Sequence, residues 1–199
     1  ANLYGNNKDF SIRALKELEK QLIEYDLSAE LIVVYKTLAQ LHLYNEDHTY
    51  YDKLYKKHVA FSLAVSKAEG LFYKFVLKSG QFLLTKSKAD HEEVIEIKRE
   101  ISNITELYDS HRLYVIYNIV RLYYMCIIDN AQEGLKSKEL EVESTLQEMN
   151  RIFQKYNLDT FYQNIKFISD FIYFAYYQKT GNQVRADFYH DKGVTVMEE

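Results

Sequence analysis

Lys155-Tyr156-Asn157-Leu158 opens a segment that runs through an apolar helix to Phe188-Tyr189. Far upstream, Glu24-Tyr25-Asp26-Leu27 opens a segment that runs through another apolar helix to Leu54-Tyr55. The two spacings agree to within about three residues, which one longer turn absorbs. A weaker echo starts at Tyr108-Asp109-Ser110. Repetition on this scale points to stacked helical hairpins, an architecture that usually holds other molecules rather than transforming them.

Composition agrees with helices. The 199 residues contain no proline and only six glycines, far too few turn formers for an all-β protein. Hydrophobic residues make up 47% and aromatic residues 15%, enough for a sizeable core. Charged residues at 27% are spread along the chain, with no basic arm or acidic tail. A net charge of −4 gives no whole-molecule attraction for nucleic acid. The lone cysteine, Cys126, sits among Tyr123, Tyr124, Met125, Ile127 and Ile128 and reads as a buried hydrophobe. A single thiol fits a cytoplasmic location. The most apolar run, 113–128, is interrupted by Asn118 and Arg121 and is too short for a membrane span. No initiator methionine precedes Ala1, and the chain is expected to be part of a larger protein.

Apolar periodicity predicts nine helices, over about residues 9–24, 28–44, 50–66, 69–86, 91–108, 111–128, 137–156, 160–180 and 182–197. Ser28 and either Asp159 or Thr160 are expected to cap their helices. Asp129-Asn130-Ala131-Gln132-Glu133-Gly134 is the clearest loop. Connections this short force antiparallel neighbours, and no flexible linker divides the chain, so one domain over 1–199 is expected. Helices two, four, six and eight are aromatic and apolar, as in Tyr114-Val115-Ile116-Tyr117. Helices three, five and seven are charged, as in His91-Glu92-Glu93 or Lys136-Ser137-Lys138-Glu139. Inner helices covered on several sides and outer helices facing water produce such an alternation.

The run Tyr177-Gln178-Lys179-Thr180-Gly181, followed by Ala186, resembles the tetratricopeptide repeat. In that family a tyrosine lies late in the first helix, a glycine in the turn, and an alanine on the packing face of the second helix. Asp170 stands where the family often has tryptophan, and the proline that usually ends each repeat is absent. The resemblance covers the C-terminal part of the chain. It implies antiparallel hairpins stacked as a right-handed α-α superhelix with a concave protein-binding face.

Chemistry-bearing motifs are scarce. The six histidines form no His-Glu-x-x-His pair, and Asp187 with His190 finds no second acid–histidine pair to complete a metal site. There is no nucleophile elbow, phosphate loop or dinucleotide fingerprint. No catalytic residue, metal or cofactor is therefore expected. The densest aromatic stretch, 161–177, carries only Lys166 as a base, so its rings read as core rather than as a base-stacking platform.

A polar stripe remains on each inner helix. Tyr114, Tyr117, Asn118 and Arg121 share one side at i, i+3, i+4 and i+7. Gln163, Lys166 and Asp170 share another, with Lys74 and Lys78 on helix four and Lys36 and Gln40 on helix two. Set side by side, these would make a basic, tyrosine-rich groove suited to an acidic peptide segment or a C-terminal carboxylate. The expected function is a non-enzymatic protein- or peptide-binding module, the sensor or scaffold part of a bacterial-type regulatory protein, with no direct nucleic-acid or membrane partner. Two alternatives are a self-associating module, dimerising through Val194 and Val196, and a helical-bundle enzyme or small-molecule binder with a closed pocket.

Overall fold

The computed structural model describes residues 3–129, 138–157 and 159–198, with side chains for 7–129, 138–157 and 159–193. Among these the chain is all-α. The eight α-helices among the described residues are α1 (Leu3–Glu24), α2 (Ser28–Leu41), α3 (Asp47–Thr85), α4 (Lys88–Leu107), α5 (His111–Tyr123), α6 (Glu139–Lys155), α7 (Thr160–Thr180) and α8 (Gln183–Glu198). A π turn, Tyr124–Ile128, extends α5. Packing is between neighbours in sequence: α1 on α2, α4 on α5, α6 on α7 and α7 on α8, with α5 also against α6 and α7. The chain separates into two compact units, Ala1–Ala68 and Glu69–Glu199, with the boundary inside α3.

That boundary corrects the expected helix count. Helices three and four are one helix of 39 residues. Ser66-Lys67-Ala68-Glu69-Gly70 holds no proline, and Lys, Ala and Glu are strong helix formers. Gly70, the weakest position, costs only about 1 kcal/mol. The expected loop over 130–134, and Lys136 and Ser137 beside it, lie outside the described residues, as do the side chains of Val194 and Val196.

In the first unit, Leu22, Leu31, Val34, Tyr35, Leu38, Ala39 and Tyr51 form the core. The Tyr35 hydroxyl donates to Glu19 at 2.8 Å, and its ring lies 5.0 Å from that of His58. The turn from α1 to α2 places Asp26 at φ 54°, a left-handed conformation that aspartate tolerates better than most residues. Leu27 N–H then bonds the Leu22 carbonyl at 3.0 Å and Asp26 N–H the Ile23 carbonyl at 3.2 Å, which satisfies the end of α1. Ser28 does not cap α2. It is the first helical residue, buried, and Leu27 holds the cap position without a side-chain bond.

In the second unit α5 is buried around most of its circumference, through Leu113, Val115, Ile116, Ile119, Val120 and Leu122. Its neighbour α4 buries a single stripe, Val94, Ile97, Ile101 and Ile104, as an amphipathic outer helix does. Asp159 caps α7 by accepting the Phe161 N–H at 2.8 Å. At the other end of α7, Gly181 takes φ 83° and Asn182 N–H returns to the Tyr177 carbonyl at 3.0 Å. Ala186 is fully buried, and its small side chain lets α8 approach α7 closely. The π turn closes with Asp129 N–H on the Tyr124 carbonyl at 2.9 Å, while the Lys179 ammonium donates to the Cys126 carbonyl. Cys126 is buried there, and burial pushes its thiol pKa up to about 11.

Candidate functional site

The groove residues fall into two groups. Lys36 and Gln40 are exposed on α2 in the first unit. The others belong to the second unit. Most of the cations there are committed to carboxylates. Lys74 and Lys78 of α3 both grip Glu93 of α4, at 2.9 and 2.8 Å, and their hydrogen bonds, Lys78 first, hold that carboxyl below its ordinary pKa. Arg121 of α5 pairs with Glu141 of α6 and donates to Thr145 at 3.2 Å. Asp170 is only 4% exposed and pairs with Lys192 of α8 at 2.6 Å. Asn118 is buried too, its amide bonded to the Tyr114 carbonyl of its own helix at 2.9 Å. Gln163 is exposed and donates to the Asn157 carbonyl at 3.0 Å, and Lys166 is exposed on α7.

Two groove residues do meet at a concave site. Tyr114 and Tyr117 line a cleft of about 430 Å³ at the junction of α4 and α5. Tyr108, Asp109 and Ser110, the connection between the helices, form one wall. Ser102, Thr105 and Glu106, from the end of α4, form another. The connection is extended, with Tyr108 at φ −140°, ψ 129° and Ser110 at φ −153°, ψ 129°. An extended strap spans more distance per residue than a tight left-handed turn, and so leaves room between the helix ends. Ser110 then starts α5, its hydroxyl accepting the Leu113 N–H at 3.2 Å.

The first turn of α5, which follows the lining residue Ser110, is firmly anchored. Arg112, in the first turn of α5, bonds Glu69 of α3 at 3.0 Å and also Asp159, the cap of α7. Its guanidinium lies 4.9 Å from the Phe161 ring. Burial alone would lower its pKa, but Asp159 and Glu69 more than offset this and the net shift is upward. The preceding residue, His111, stacks on Tyr156 at 4.0 Å and 8° and hydrogen-bonds the Tyr162 hydroxyl through Nδ1.

The lining is aromatic and acidic. Three tyrosines, three hydroxyl side chains and two carboxylates face the cleft, with no lysine, arginine or histidine among them. Glu106 lies in the last turn of α4, which carries no basic residue. A helix C-terminus already bears partial negative charge, so this carboxylate adds to the field rather than offsetting it. Burial raises the Tyr114 pKa, and the nearby Glu148 of α6 raises it further, against smaller opposing pulls from Arg121 and Thr145. Tyr108 and Asp109 stand in the sequence only as a weak echo of the repeat, and neither they nor Glu106 belong to the expected groove. The signal for them is an acidic last turn, free of basic residues, followed by a connection too extended to close tightly.

Among the described residues there is no group of three or more histidine, cysteine, aspartate or glutamate side chains that could hold a metal ion. None of the described helices is long and apolar enough to cross a membrane. Comparison of the chain with protein-family models, with curated proteins and with solved structures gave no match.

Proposed function

We propose that this chain is a non-enzymatic binding module that receives a polypeptide segment in the cleft between α4 and α5. The observation that carries the reading is the lining itself: Tyr108, Tyr114 and Tyr117 beside Ser102, Thr105 and Ser110, on an anchored helical frame. Tyrosine offers large contact area at low entropic cost, and hydroxyls bond peptide amides in either sense. A volume of about 430 Å³ falls within the range of small-ligand pockets and admits a side chain or two of a bound segment. The acidic-segment partner is weakened, because Lys74, Lys78 and Arg121 are spent on internal carboxylates. Hairpin stacking into a right-handed superhelix of the tetratricopeptide kind, and a place as the sensor or scaffold part of a larger regulator, go with this reading. The Gly181 turn and the buried Ala186 support it. Selection of a random-peptide library on the intact chain tests it. Enriched sequences are expected to lose binding to the Tyr114→Ala and Tyr117→Ala variants. No enrichment, or enrichment indifferent to both substitutions, would refute the assignment.

A second reading is self-association. Tyr73, Leu77 and Leu84 of α3 are 55%, 70% and 89% exposed in the second unit. Light scattering across a dilution series separates the readings, since a concentration-dependent mass abolished by Leu77→Glu favours a homodimer.

A further inference from the structure

We infer that the cleft between α4 and α5 takes the ammonium end of a lysine side chain presented by the bound segment. This inference rests on the binding-module reading and names what that site selects. A ligand must suit both the shape and the field of the cleft. Its lining includes Tyr108, Tyr114 and Tyr117, and tyrosine rings attract cations over their faces while accepting methylenes. Glu106 and Asp109 belong to the same lining, and none of the described lining residues is cationic. Glu106 also sits at the negative end of α4 with no basic residue in that turn, a placement that mildly destabilises the empty protein and that a bound cation relieves. An anionic ligand would be repelled by this field, and a neutral one would leave it unanswered. A lysine side chain answers every part: its four-carbon stem packs on the rings, and its compact charge meets the carboxylates.

The test is an amide chemical-shift titration of the isotope-labelled intact chain. The probes are three short Gly/Ser peptides identical except for one central residue: lysine, Nε-acetyl-lysine or glutamate. Free spermidine is the fourth probe. The lysine peptide is expected to shift the signals of Tyr108, Asp109 and Tyr114 and to bind at least about tenfold more tightly than the acetyl-lysine peptide. The double variant Glu106→Gln/Asp109→Asn, whose residues are exposed and whose folding is checked by circular dichroism, is expected to bring lysine down to the acetyl-lysine level. If the double variant misfolds, Asp109→Asn alone serves, with at least a threefold loss of lysine affinity expected on the order of a rim charge. Equal binding of all three peptides at these signals would overturn the charge selectivity and leave the binding module standing. Shifts by none of the peptides would overturn both. Spermidine binding as tightly as the lysine peptide would overturn the polypeptide source and make the ligand a free amine.

Discussion

Arg112 of α5 pairs with Asp159, and the same carboxylate group caps α7 through the Phe161 N–H. One aspartate thus ends a loop, starts a helix and neutralises a guanidinium that also holds Glu69 at 3.0 Å. Removing the cation strands two half-buried carboxylates, so Arg112→Met is expected to cost about 3 kcal/mol. Asp159→Asn keeps a capping oxygen and is expected to cost about 1 kcal/mol. Urea unfolding of the two variants checks the ranking, and equal losses would show that stranding Asp159 and Glu69 costs no more than neutralising Asp159 alone.

Gly181 and Gly70 should respond to alanine with opposite signs. A methyl group meets no atom within 4 Å at either site, so sterics with neighbours do not decide. Gly181 has φ 83°, where an L side chain costs about 1–2 kcal/mol. Gly70 lies inside α3, where alanine is preferred by about 1 kcal/mol. Thermal melts are expected to fall for Gly181→Ala and rise for Gly70→Ala.

Mild acid should weaken the protein through His58. Burial beside Tyr35 and Phe61, and then Lys57, lower its pKa below the ordinary 6.5, against smaller pulls from Glu19 and Asp26. The unfolded chain therefore takes up this proton first as pH falls. Stability is whole above pH 6.5, declines below it by at most about 1.4 kcal/mol per pH unit, and levels off below the folded pKa. Urea midpoints measured across that range should show this slope in the native chain and lose its His58 part in His58→Phe.

Cys126 should be silent toward thiol reagents in the folded state. It is 1% exposed, and burial lifts its pKa to about 11, so little thiolate exists near pH 8. Reaction with a chromogenic disulfide is expected to follow the urea unfolding curve. Fast labelling without denaturant would mean that the π turn opens locally.

The helical class was legible because it rests on local properties: no proline, few glycines and apolar stripes at helical spacing. Gly181 and Ala186 were legible for the same reason, since a left-handed turn and a close helix approach each demand one residue type. The unity of α3 was not. Ser66, Lys67 and Gly70 are exposed while Ala68 between them is buried, and a mostly polar helical turn looks like a short linker in one dimension. The partners of the basic stripe were not legible for a related reason. Periodicity shows that Lys74, Lys78 and Arg121 share faces, but not that Glu93 and Glu141 arrive from neighbouring helices to neutralise them. The cleft depends on the extended backbone of Tyr108 and Ser110, which three residues of sequence do not dictate.

The π turn at Tyr124–Ile128 has a consequence for chain length. Its closing bond reaches back five residues where an α-helix reaches four, so the segment holds one residue more than a regular turn would. Deleting Met125 should let the segment close as ordinary α-helix, whereas deleting a residue such as Val120 would swing every later side chain of α5 by about 100° away from its core partners. The chain carries a spare residue here, and the Lys179 ammonium on the Cys126 carbonyl holds it in place.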